Sequence, residues 1–200
     1  MKFSKWTSSV AAVLTILSAS TARAQVITFG ALGGSNGDLF GSYGESGFNV
    51  ALVGGAICVA KSFGNPIPDL FGGGVCSSQS PSSLLSITRS GGGSFRFLGT
   101  DLSTQNGQST YFFEGFLSSV SQYTGGQTLS TASATFATYA NSNATLVDEL
   151  RISLNTAGAS SYNIDNINLQ VSTVPEPSSL LLLGSGVGAL LLASRRRRAA

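Results

Sequence analysis

The apolar residues between positions 25 and 173 come in short segments with a period of two, and no window among them sustains the three-to-four-residue spacing of an amphipathic helix. The segments are residues 26–29, 48–53, 56–60, 84–89, 94–98, 111–120, 128–139, 145–154 and 162–171. Between them stand breakers such as Gly54-Gly55, Gly72-Gly73-Gly74 and Ser90-Gly91-Gly92-Gly93. Alternation in twos turns successive side chains to opposite faces, so each segment reads as a strand with one buried face. The pattern therefore predicts an all-β chain, an antiparallel two-sheet sandwich of jelly-roll type.

Two segments show how the faces are used. In residues 130–140, Thr131, Ser133 and Thr135 lie on one side, with Ala132, Ala134 and Phe136 on the other. In residues 162–171, simple alternation puts Asp165 on the same face as Ile167, Leu169 and Val171. A carboxylate on an apolar face needs a partner, because burying it unpaired costs several kcal/mol. The residues themselves offer Arg89, Arg96 or Arg151, or the backbone amides where the strand begins.

The two ends obey different rules. Residues 178–194 carry no charge, and Arg195, Arg196, Arg197 and Arg198 follow directly. At about 1.5 Å per residue such a helix reaches about 25 Å, just enough to cross a hydrocarbon layer of about 30 Å. The arginines would stay on the cytoplasmic side and leave the preceding residues outside. Pro175 and Pro177 hold the segment around Glu176 extended. At the other end, Lys2 and Lys5 precede an apolar core at residues 10–17 and the small-x-small sequence Ala22-Arg23-Ala24, the layout of a secretory signal peptide. The expected organisation is a signal peptide over residues 1–24, an extracytoplasmic sandwich over 25–173 and a sorting or anchor segment over 174–198 with a transmembrane helix.

Pro175-Glu176-Pro177, the short Leu/Gly-rich stretch and the terminal arginine cluster together resemble a PEP-CTERM sorting signal. The resemblance implies recognition of Pro175, Glu176 and Pro177 by an exosortase, passage through the inner membrane, and delivery to the cell surface or extracellular matrix. A permanent single-span anchor is the alternative. An ice-binding label also travels with such tails, but it describes the tail rather than an activity of the body. A second resemblance, carried by Tyr162-Asn163-Ile164-Asp165-Asn166-Ile167, is to the closing strand of galactose-binding-like and carbohydrate-binding jelly rolls. The resemblance implies a structural calcium ion held by Asp165, with Asp38 or Glu45 from the glycine-rich stretch 33–47 as oxygen ligands, and the arginines or backbone amides are the alternative partners.

With the ends set aside, residues 25–174 hold four basic and eight acidic residues, a net charge of −4, so the sequence pI of about 8.7 gives no hint of nucleic-acid binding. Cys58 and Cys76 are the two cysteines, and in an exported protein an even pair reads as a disulfide, with two free thiols as the alternative. The chain has no histidine, so the G-x-S-x-G letters at residues 33–37 lack a base and read as a loop. Asp148 and Glu149 are neighbours in a strand and point apart, which leaves a distant pair such as Glu114 and Asp148 as the one glycosidase arrangement to consider. Asn143-Ala144-Thr145 has N-glycosylation spacing.

The expectation is a non-catalytic surface or matrix protein with no catalytic residues. It would bind exopolysaccharide through exposed rings among Tyr43, Tyr111, Tyr123, Tyr139 and Tyr162. The alternatives are a small secreted polysaccharide hydrolase and an ice-binding protein.

Overall fold

A computed structural model describes residues 23–35, 38–55, 70–73, 82–105, 108–129, 135–143, 145–158 and 161–171. They form eleven strands: β1 (Ala24–Ile27), β2 (Ser42–Glu45), β3 (Phe48–Gly55), β4 (Leu70–Gly73), β5 (Ser82–Arg89), β6 (Phe95–Gln105), β7 (Gln108–Leu117), β8 (Val120–Thr128), β9 (Ala137–Ala140), β10 (Glu149–Gly158) and β11 (Ser161–Val171). Every pairing is antiparallel. One sheet runs β2-β3-β5-β10-β7-β8. The other runs β1-β11-β6-β9, with β4 also on β11. β4 pairs with residues 161–164 and β1 with residues 167–170, so the two short strands share one flank of β11 end to end. This is the all-β, two-sheet antiparallel sandwich that the period-two pattern predicts.

The core is what that alternation supplies. Val50, Leu85, Ile87, Phe113, Leu150, Ile152 and Leu154 from the six-stranded sheet meet Ile27, Phe95, Phe97, Leu102, Tyr162, Ile164, Ile167 and Leu169 from the other, all buried. Rings bridge the layers: Phe48 meets Phe95 edge-on at 5.1 Å between centroids, and Phe97 meets Phe113 at 5.2 Å. Each such pair is worth about 0.5–1.5 kcal/mol beyond its buried area. At one corner the sheets are joined through backbone, Phe95 and Val147 exchanging hydrogen bonds of 2.8 and 2.9 Å.

Three features depart from simple alternation. Residues 111–120, expected as a single strand, contain a reversal: β7 ends at Leu117, Ser118 and Ser119 adopt φ of 51° and 64°, and β8 returns. Two left-handed residues in a two-residue loop match the strand twist, and neither is glycine, so no turn signal stands at these positions. The Ser118 N–H donates to Asp148 Oδ2 at 2.8 Å, which holds the turn. Ser46 and Gly47, at φ of 53° and 77°, make the matching turn between β2 and β3, a hairpin the sequence reading did not contain. Gly54-Gly55 lies inside β3, with an irregularity between Leu52 and Gly54.

The third departure is in β11. Asn166 has φ 47°, and the register against β6 slips between Asp165 and Asn168. The extra residue shifts the phase, so Tyr162 and Ile164 join Ile167 and Leu169 in the core. Simple alternation had placed Asp165 with Ile167; the slip puts Ile164 there and leaves Asp165 opposite Asp101 of β6. Asp165 is nevertheless buried, at 4% exposure. The expected strand at 56–60 and the alternating residues 131–134 fall outside the described residues, and residues 137–140 form β9.

Candidate functional site

The outer face of the six-stranded sheet can be assembled from its register. On β7 the triplet Tyr111-Phe112-Phe113 alternates: Tyr111 and Phe113 are buried, and Phe112 points out with half its surface exposed. Its cross-strand neighbours are Gly126 on β8 and Ser153 on β10. A Cβ at Gly126 would lie 2.9 Å from Phe112 Cδ2 and 2.6 Å from the Tyr111 carbonyl oxygen, so glycine is what allows the ring to lie over the edge strand. Thr110, Phe112, Gly126, Gln127 and Thr128 border an open groove of about 510 Å³.

Beside the ring is a fixed polar cluster. Glu114 follows on the same face of β7, opposite Arg151 of β10. Arg151 Nε donates to Glu149 Oε1 at 2.8 Å and Nη2 to Glu149 Oε2 at 3.1 Å, a two-point ion pair. Ser86 Oγ donates to Glu149 Oε1 at 2.7 Å, and the guanidinium lies 4.5 Å over the Phe116 ring. The hydrogen bonds from Arg151 hold the Glu149 carboxyl below its ordinary value; partial burial opposes the shift and Ser86 adds to it. Arg151 is still 43% exposed, so a fixed guanidinium presents its remaining N–H groups to solvent beside a flat ring. That is a surface able to stack an apolar ring face and hydrogen-bond hydroxyls.

The residues expected to form sites are placed as follows. Tyr111, Tyr123 and Tyr162 are buried and Tyr43 and Tyr139 half-buried, which removes them as exposed platforms. Tyr111 packs against Phe113 and Tyr139, and Tyr123 against Phe113, an aromatic cluster inside the sandwich. Burial raises all three buried phenols, Tyr123 to about 12. Among the described residues the exposed ring is Phe112, and a run of three aromatics in a strand already implies that the middle one faces away from the other two.

Asp148, expected as a possible partner for Glu114, instead anchors the β7–β8 turn. Glu45 accepts from the Thr28 N–H and the Phe29 N–H, at 2.8 and 2.9 Å, and from Thr28 Oγ1 at 2.8 Å. It thereby pins the backbone where Phe29 adopts φ 54°. Asp38 accepts from the Ser35 N–H at 2.6 Å. Among the described residues no three His, Cys, Asp or Glu side chains stand close enough to hold a metal ion, and both oxygens of Glu45 are already engaged. Arg151, one proposed partner for Asp165, is bound to Glu149. Cys58, Cys76, Pro175, Glu176, Pro177 and Arg195 to Arg198 lie outside the described residues, as do the expected transmembrane stretch and residues 1–22 of the expected signal peptide, whereas Ala24, its expected last residue, begins β1 and pairs with Gln170. Among the described residues no helix is long and apolar enough to cross a membrane.

Residues 173–198 match the PEP-CTERM protein-sorting motif. No curated protein matches the chain. Among solved structures it is similar to a carbohydrate-binding module of family 29, at 16% identity over 78% of this chain and 96% of that one, TM-score 0.43. A family 29 module complexed with mannohexaose matches at 17% identity over 75% and 92%, TM-score 0.44. A DUF4465-family protein from Bacteroides caccae matches at 11% identity over 75% and 100%, TM-score 0.47. The tail of this chain, from position 173 to 198, is a PEP-CTERM sorting segment.

Proposed function

We propose that this is an exported, exosortase-sorted surface protein whose sandwich binds exopolysaccharide non-catalytically on the outer face of β7, β8 and β10. The observation that carries the binding part is Phe112, an exposed ring above a glycine and beside the fixed Arg151–Glu149 pair. Sugar rings present an apolar face to such a platform and hydroxyls to its polar neighbours.

A hydrolytic reading of the same face is disfavoured by its hydrogen bonding. Two-carboxylate glycoside hydrolysis needs both carboxyls directed at the scissile bond, whereas both oxygens of Glu149 are engaged by Arg151 and one of them also by Ser86. The sorting part rests on the 173–198 match, with Pro175, Glu176 and Pro177 as the recognition element and the inner membrane as the site of handling before release.

Two measurements test the two halves. Titration calorimetry of the protein against the producing cell's own exopolysaccharide, with and without chelator, should give saturable binding that Phe112→Ala weakens at least about tenfold, about 1.4 kcal/mol. Binding unaffected by that substitution would remove the site. Intact-mass analysis of the mature protein should show loss of Arg195 to Arg198; a species retaining them throughout would leave a plain membrane anchor.

A further inference from the structure

The sheet edges differ in length and chemistry. β2 ends the six-stranded sheet on one side, and β1, β4 and β9 lie at the margins of the other sheet; each has four residues. β8, the remaining margin, has nine: Val120-Ser121-Gln122-Tyr123-Thr124-Gly125-Gly126-Gln127-Thr128. Among the described residues it pairs with β7 alone, and apart from Tyr123 and Gly125 its residues are exposed. It contains no charge and no proline, two devices by which edge strands avoid pairing with other chains, and its one irregularity is at Gln122, where the register against β7 slips.

We infer that β8 is a self-association edge that joins two copies of this chain, antiparallel about a twofold axis, into one continuous twelve-stranded sheet. The strand's own chemistry selects a second copy as the occupant. Ser121, Gln122, Thr124, Gln127 and Thr128 each carry both a donor and an acceptor, so identical strands side by side meet with matched groups and no like charges. An isologous pairing of one strand with itself is antiparallel by symmetry. Thr124 is the fifth of the nine residues, so full overlap sets Thr124 opposite its copy.

This register keeps both outer faces on the same side. The two Phe112 rings then stand about 20 Å apart on one surface, from three strand spacings of about 4.8 Å and an offset of four residues along the strand. A single strand pair falls short of the about 1,200 Å² typical of stable interfaces, so the dimer is weak in free solution. It strengthens where chains are held close together on a surface. The bivalent use of the two rings rests on the carbohydrate reading; the pairing itself does not.

Sedimentation of the protein purified from the producing cell, from about 5 to about 500 µM, tests the pairing without any glycan. The expected result is a concentration-dependent monomer–dimer equilibrium. Thr124→Lys and Thr124→Glu, each placing like charges opposite one another, should separately weaken it at least about tenfold, and an equimolar mixture of the two should restore it. A wild type that stays monomeric throughout overturns the inference. So do single variants that dimerise like the wild type, or a mixture that remains monomeric. Failure of the carbohydrate reading would show in calorimetry and leave these results unchanged.

Discussion

The faces that the two sheets turn away from their shared core differ, and on the five-stranded sheet Ser103, Asn163 and Asp165 of that face are themselves buried. On the five-stranded sheet the polar groups of β6, β9 and β11 bond to one another. Asp101 accepts from Thr138 Oγ1 at 2.6 Å and from Asn166 Nδ2 at 2.8 Å, and Asn163 Nδ2 donates to Ser103 Oγ at 2.9 Å. On the six-stranded sheet Arg151 and Glu149 are equally fixed, yet Arg151 keeps free donors in solvent and Phe112 stands beside them exposed. Side chains that satisfy each other lock strands in register. Side chains that are held in place with capacity left over are ready for a ligand.

The sharpest test of that contrast uses neighbours in β7. Tyr111 fills the aromatic cluster between the sheets, so Tyr111→Ala should cost about 3–5 kcal/mol of stability in urea unfolding. Phe112→Ala, one residue along and on the other face, should cost under about 1 kcal/mol and remove glycan binding. Equal destabilisation by the two substitutions would mean that Phe112 is a packing residue, and the proposed site would lose its platform.

How much of this was legible depended on whether a rule was local. Alternation within a strand needs only the strand, so the sandwich and most strands followed from sequence. The β7–β8 turn did not, because Ser118 and Ser119 take left-handed conformations without glycine and are held by Asp148, thirty residues away in sequence. The phase of β11 failed for a similar reason: the slip at Asn166 is a property of its pairing with β6. The aromatic platform was misassigned because the tyrosines were read as exposed rings, and which face of a strand is covered depends on the packing of the other sheet. Tyr111 and Tyr123 are core residues, with hydroxyls that have no hydrogen-bond partner among the described residues. The Arg151–Glu149 pair, two residues apart on one strand face, was within reach of the same alternation rule.

Of intermediate size is the effect of Asp101 on the opposite sheet. Asp101→Ala removes the acceptor for both Thr138 and Asn166, and Asn166 sits at the irregularity that sets the phase of β11. The expected loss is about 1–3 kcal/mol, read as a lower urea midpoint, with glycan affinity unchanged. A drop in affinity at constant stability would place ligand contact on this face as well and erase the distinction between the sheets.

The smallest effect concerns the pH response of the Arg151–Glu149 pair. Hydrogen bonds from Arg151 lower the Glu149 carboxyl from its ordinary 4.5, with burial opposing and Ser86 assisting. A carboxyl lowered on folding binds fewer protons folded than unfolded, so its contribution is complete above the ordinary value and disappears as pH falls through the lowered one. Because the pair is only partly buried and reachable by solvent, that contribution to stability is small, and the clearer readout is orientation of the guanidinium. Glycan affinity should stay level from neutral pH down to 4.5 and decline below it as Glu149 takes up a proton and releases Arg151. Glu149→Gln should bind more weakly at every pH and lose this decline. A decline that begins well above 4.5 would mean that another group titrates at the site, and Glu149 would lose its role in fixing Arg151.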